Sequence, residues 1–103
     1  MKRYVLTPSA KRDVNDIWDY IANDNIEAAD RVLDALESAM VKLAKNPNIG
    51  HWREELSDKR HRFFLVYSYL IVYRREAKPL QTVRVLHAAR DVQSVLGLSP
   101  SEP

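Results

Sequence analysis

The sequence predicts an α+β domain: an N-terminal helical hairpin packed on an antiparallel β-sheet, with elements in the order β-α-α-β-β-β-α. Three observations carry this. Two successive segments, one around residues 10–21 and one around 29–44, repeat apolar side chains at helical spacing. A three-residue break, Asn23-Asp24-Asn25, joins them and is short enough to make the helices antiparallel neighbours. Beyond Asn46-Pro47 the apolar content changes to short runs dense in Val, Ile, Leu, Phe and Tyr, the residues that favour strands. A chain of 103 residues is one domain by length and can bury one modest core.

Tyr4-Val5-Leu6 is the first β-prone run. Thr7-Pro8 then reads as a helix start, because Thr can accept from the exposed N–H groups and Pro suits the first helical position. Ala10, Val14, Ile17, Trp18 and Ile21 lie along one face of the first helix, and Trp18 on that stripe is expected in the core. Asn23-Asp24-Asn25 ends the pattern and can cap the second helix, predicted over residues 26–45. Glu27 and Asp30 suit the positive end of that helix, and Lys42 and Lys45 suit the negative end.

Residues 63–66 and 70–73 predict two strands joined at Tyr67-Ser68-Tyr69, a hairpin turn without Gly or Asn. Residues 75–80, with Pro79, form a second turn, and 82–87 predict a further strand. One sheet face is expected to be buried and the other to carry aromatic and arginine side chains. Residues 88–96 predict a short final helix closed by Gly97. The domain is expected to span residues 1–98, with 99–103 a flexible tail. Tyr4–Leu6 must dock back on the sheet, and the sheet edge left open is a site where a partner's strand can add.

Net charge is only +2, but it is unevenly spread. Residues 59–90 carry Lys59, Arg60, Arg62, Arg74, Arg75, Lys78, Arg84 and Arg90 against Glu76 alone, a local excess of about +7. Such a field attracts polyanions or acidic protein surfaces. Its concentration favours a binding role over simple solubility. The chain has no cysteine, which removes disulfides and thiolate zinc sites and fits a reducing, cytoplasmic compartment. No apolar run reaches the ~18 residues of a membrane span, so no membrane partner is expected.

The motifs divide between chemistry and packing. Gly50, Arg53, Glu55 and Leu56 form a compact segment before the basic stretch, in which Gly50 suggests a tight bend. A surface pair between Arg53 and Glu55 is worth little, so Arg53 is weighed mainly as a contact residue. His87, near Arg84 and Arg90 in sequence, could serve as acid or base on a phosphodiester. A lone strand-end histidine more often bonds the backbone or a neighbour such as Asp91, and that role is favoured. No spacing suits a metal, and no cofactor motif is present. Trp52, in a loop, suits a partner anchor. The candidate partner-binding residues are therefore Arg53, Arg60, Arg62, Arg74, Arg84, Arg90 and Trp52.

Several segments together resemble a known family. They are Tyr4-x-Leu6-x-Pro8-x-Ala10, Asp13-x-x-x-Ile17-x-x-Tyr20-Ile21-Ala22, Ala29-x-x-x-Leu33, Pro47-x-x-Gly50-x-x-Arg53-x-Glu55-Leu56, Tyr69-Leu70-Ile71-Val72-Tyr73-Arg74 and Val85-Leu86-His87-Ala88-Ala89-Arg90-Asp91-Val92. In that order they are similar to the ParE toxins of the RelE/ParE superfamily, over residues 3–96. The resemblance implies the toxin of a type II toxin–antitoxin pair, silenced by a ParD-like antitoxin that wraps a helix and an extended segment around it. It implies a complex of heterotetramer size or larger and contact with operator DNA only through the antitoxin.

The superfamily holds gyrase poisons and ribosome-dependent messenger ribonucleases on one fold, so fold alone does not choose between them. The residue after His87 is Ala88 where the ribonuclease branch has an aromatic hydroxyl near the chain end. Gly50 stands where some of its members place a catalytic Glu. An incomplete acid–base set favours a non-enzymatic inhibitor of DNA gyrase. The alternatives are a ribonuclease using His87 with Arg53, Arg62, Arg84 or Arg90, and a decayed toxin that serves only as antitoxin partner and co-repressor. The antitoxin is expected to set acidic residues against Arg60, Arg62, Arg74 and Arg84 and apolar anchors toward the helical hairpin.

Overall fold

A computed structural model describes residues 4–50 and 61–89. The elements are β1 (Tyr4–Leu6), α1 (Pro8–Ala22), α2 (Ile26–Lys45), a short 3₁₀ turn (Pro47–Ile49), β2 (His61–Val66), β3 (Tyr69–Arg74) and β4 (Leu80–His87). The class and the β-α-α-β-β-β order match the expectation. The final helix and the tail expected beyond Ala89 lie outside the described residues.

Both helices begin as their sequences predict. The Thr7 hydroxyl accepts the Ala10 N–H at 3.1 Å, and Pro8 occupies the first helical position. The Asn25 side chain accepts the Ala28 N–H at 3.0 Å and starts α2. Three residues separate α1 from α2, so the helices return antiparallel. Trp18 corrects one expectation. Instead of joining the core, its indole N–H donates to Asp30 Oδ1 at 2.9 Å and ties α1 to α2 near the surface. A periodicity argument assigns the stripe but not the one member at its edge whose N–H needs an acceptor.

The sheet has the order β1-β4-β3-β2. It is mixed, which corrects the expected antiparallel sheet: β2–β3 and β3–β4 are antiparallel hairpins, but β1 pairs parallel to β4, with Tyr4 opposite Leu80 and Leu6 opposite Thr82. Antiparallel neighbours follow from tight turns, whereas β1 reaches β4 only after the whole helical hairpin and two strands, a connection long enough for parallel pairing. A register shift between Val72 and Tyr73 interrupts the β3–β4 ladder, so that Val72 faces Arg84 and Tyr73 faces Thr82.

Two apolar clusters hold the sheet. The larger gathers Leu36, Ala39, Met40 and Leu43 of α2 with Tyr4, Ile71, Tyr73, Leu80 and Val85 of the strands. The smaller comprises Phe63, Leu70, Val72 and Leu86, which alternate with the first set along the strands and so occupy the opposite face. This corrects the expectation of one buried face and one arginine-bearing face. It also explains the imperfect alternation of β3: residues 70–73 are all buried, as in a strand covered on both sides.

The β2–β3 turn is tighter than expected, since Val66 already pairs with Tyr69. Tyr67 takes φ 53°, a left-handed conformation that is costly for an aromatic residue, while the residue is 66% exposed. Tyr67→Asn is therefore expected to raise the unfolding free energy by about 0.5–1 kcal/mol, because Asn tolerates this region. An unchanged urea midpoint would contradict it.

Candidate partner-binding site

The basic end of the molecule is built on a turn. Pro47–Ile49 follows α2, and the chain then passes Gly50 close against β3. The Tyr73 hydroxyl, fully buried, donates to the Pro47 carbonyl at 2.6 Å and accepts the Gly50 N–H at 3.0 Å. Burial raises the Tyr73 phenol above its ordinary value, and the Gly50 hydrogen bond and the Arg62 and Arg75 guanidiniums pull it partly back. Gly50 has φ −73°, ordinary extended backbone. The tight bend expected from the sequence is not what calls for glycine here; its requirement is steric, since a Cβ there would lie 2.8 Å from two ring carbons of Tyr73.

Arg62 of β2 and Arg75, just after β3, are fastened to this turn. Arg62 Nη1 donates to the Gly50 carbonyl at 2.9 Å and the Asn48 carbonyl at 3.4 Å. Arg75 Nη1 donates to Asn48 Oδ1 at 3.1 Å, and its other terminal nitrogen lies 3.5 Å from Glu76. Arg74 is exposed and stands opposite His61 in the ladder. The structure thus brings Arg62 and Arg74 together with Arg75, which was not singled out from the sequence. Arg53, Arg60, Arg90 and Trp52 lie outside the described residues.

Arg84 has a different setting from the one expected. Its Nε and Nη2 donate to the two oxygens of Asp13 at 2.7 and 2.9 Å, and Asp13 Oδ2 also accepts the Val85 N–H at 2.9 Å. The side chains are 29% and 14% exposed, so this is a largely desolvated bidentate clamp between α1 and β4. Thr7 continues the seam: its N–H donates to the Thr82 carbonyl at 3.0 Å and its hydroxyl to the Val83 carbonyl at 2.8 Å. Where β1 ends, Thr7 and Asp13 thus take over the polar groups of β4. Sequence reasoning gave Asp13 no role beyond its place in the family motif. The available signal was an acid paired with an arginine 71 residues on, which no local pattern exposes.

His87 ends β4 opposite Tyr69, and the two rings meet edge to face with centroids 5.7 Å apart. Arg62 faces Tyr73, four residues further along β3. At the strand rise this places His87 and the Arg62 row roughly 13 Å apart. Of the expected ribonuclease partners that are described, Arg62 thus lies away from His87, and Arg84 is engaged by Asp13.

Among the described residues, β1 and β2 are the edge strands. Beside β1, Tyr4, Leu6, Val14, Leu33, Leu36 and Met40 line a groove of about 180 Å³ with Lys11 and Glu37 at its rim. An apolar groove next to an unextended strand suits an extended peptide that places a side chain inward. No helix among the described residues is long and apolar enough to cross a membrane.

A hairpin of helices over a four-stranded mixed sheet, with arginines gathered at one end, defines a small α+β domain with surfaces suited to a macromolecular partner. The comparisons with known proteins show its family. The family described as the ParE toxin of the type II toxin–antitoxin system, parDE, matches over residues 4–92. Toxin ParE1 of Mycobacterium tuberculosis is 32% identical over 92 residues, covering 87% of this chain and 93% of that protein. Toxin ParE1 of Caulobacter vibrioides is 30% identical over 98 residues, covering 94% and 100%. Toxin RelE3 of the same organism is 26% identical over 88 residues, covering 85% and 96%. The structure titled chromosomal ParDE TA system from P. aeruginosa superposes with a TM-score of 0.67 at 20% identity, over 82% of this chain and 92% of that one, which shows the shared fold. The chain belongs to the ParE toxin family of type II toxin–antitoxin systems.

Proposed function

We propose that this toxin is neutralised by a ParD-like antitoxin and arrests growth by inhibiting DNA gyrase without catalysing a reaction itself. The observation that supports the non-enzymatic reading is that, among the described residues, His87 and the arginines Arg62 and Arg84 are each engaged in a different place. His87 packs on the Tyr69 ring, Arg62 is bound to the Pro47–Gly50 turn, and Arg84 is bound to Asp13. A phosphodiester-cleaving site needs its acid–base group and its charge-stabilising cations around one phosphate. The antitoxin reading is supported by the basic end, the edge strands and the apolar groove beside β1. An acidic segment laid along them would gain association rate and specificity from the arginines and affinity from its apolar anchors.

The test is supercoiling by purified gyrase with increasing toxin, with and without antitoxin. Inhibition relieved by antitoxin is expected, and full supercoiling at excess active toxin would reject the gyrase reading. The Tyr69–His87 contact leaves a second reading, a ribonuclease in which this pair supplies the acid–base groups. Loss of messenger cleavage and growth arrest in His87→Ala would favour it.

A further inference from the structure

The helical hairpin extends past the sheet it covers. On α1 the last side chain packed against the main core is Ile17, and on α2 the first is Val32. Between them the tip is braced within itself, by the Trp18–Asp30 hydrogen bond of 2.9 Å and the Asn25 cap. This braced tip exposes two large apolar side chains, Tyr20 at 72% and Ile26 at 60%. A hollow of about 680 Å³ lies beside Tyr20, lined by Tyr20, Ile21, Asn23, Asp24, Asn25 and Ala28. Its surroundings are mainly acidic. Asp16, Asp19, Asp24, Glu27 and Asp30 fall between residues 14 and 31, against Arg31 alone.

Exposed apolar anchors on a rigid projection are costly unless they are covered in use. The acidic rim selects what covers them: a basic surface, whose arginine or lysine can stack on the Tyr20 ring while pairing with the flanking carboxylates. The arginines of the other end lie at the far end of α2, a helix of 20 residues and so about 30 Å long. One end is thus suited to an acidic partner and the other to a basic one. We infer that the hairpin tip, through Tyr20 and Ile26 within its acidic rim, is the surface that docks on a basic, DNA-holding region of the toxin's target. This rests on the proposed gyrase reading for the identity of the target but not for the location of the surface.

The experiment compares the full chain with Tyr20→Ala/Ile26→Ser and with Asp16→Lys/Asp24→Lys. The second pair changes only exposed charges, so it keeps the comparison valid if the first folds poorly. Three readouts are taken: growth arrest on expression without antitoxin, gyrase supercoiling, and antitoxin affinity with the size of the purified chain. Both variants are expected to lose growth arrest and to need about tenfold more toxin or beyond for half-inhibition, the effect of truncating an interface anchor. They are expected to keep antitoxin affinity and size. Growth arrest as strong as the parent's would overturn the inference. Weakened antitoxin binding would assign the tip to the antitoxin, and a changed size would assign it to a second copy; either overturns it. If the parent arrests growth without affecting supercoiling, the gyrase reading fails, and the tip is still judged by the growth-arrest comparison.

Discussion

Gly50→Ala is expected to lower the unfolding free energy by about 3 kcal/mol, a large fraction of what a small domain has. The added Cβ would meet Cε1 and Cζ of Tyr73 at 2.8 Å, inside any tolerable contact. Tyr73 cannot turn aside, because its side chain is fully buried in the main core. Either the ring moves, with an overpacking cost of about 1–3 kcal/mol, or the turn moves. In both cases the hydrogen bonds joining the Tyr73 hydroxyl to Pro47 and Gly50 are lost, and a buried polar group left unmatched costs about 1–3 kcal/mol more. Tyr73→Phe removes the hydroxyl nearest the new methyl, so the double variant should lose less than the sum of the two single losses. Urea denaturation measures all three, and full additivity would show that Gly50 and Tyr73 do not constrain one another. Arg62 donates to the Gly50 carbonyl, so the same substitution should weaken antitoxin binding as well.

The second large effect is expected at Asp13. Asp13→Ala deletes both acceptors of the Arg84 fork and the acceptor of the Val85 N–H. Removing one partner of a largely buried, hydrogen-bonded ion pair costs about 3–5 kcal/mol, because the remaining charge stays desolvated. With Arg84 29% exposed, the lower end, about 3 kcal/mol, is expected here. Asp13→Asn keeps an acceptor for Val85 and should lose clearly less. Thermal or urea unfolding distinguishes the two, and equal losses would place the whole effect in the ion pair. Arg84→Ala should likewise destabilise the fold. A variant that weakened antitoxin binding while leaving stability unchanged would restore Arg84 to the partner-facing role expected from its sequence.

Local chemistry is what the sequence exposes. Thr7-Pro8 and Asn25 set the helix starts because a capping side chain acts within three residues. The β2–β3–β4 run follows from residue type and turn length. Long-range pairing is what it hides. The parallel seat of β1 on β4, the Asp13–Arg84 clamp and the packing of Gly50 on Tyr73 join positions 23 to 76 residues apart, with no periodicity to mark them. The same holds for the site. Counting charges between residues 59 and 90 gives a basic stretch of sequence, but charge alone does not say which guanidinium is committed to an acid inside the chain. Arg74 looks outward, Arg62 holds a turn and Arg84 holds a helix. The hairpin tip was overlooked for a related reason: Tyr20 and Ile26 belong to helical segments, and their exposure depends on where the sheet beneath them stops.

Thr7 and Asp13 also bear on how a visiting chain is received. By occupying the flank of β4 beyond Leu6, they seal the middle of the sheet against insertion, so among the described strands an arriving segment has the two outermost ones to lengthen. One of these is three residues long; the other has six and leads directly into the arginine-rich corner. A toxin closed in this way resists stacking on its own kind through that seam, and whatever silences it must approach from a prescribed side.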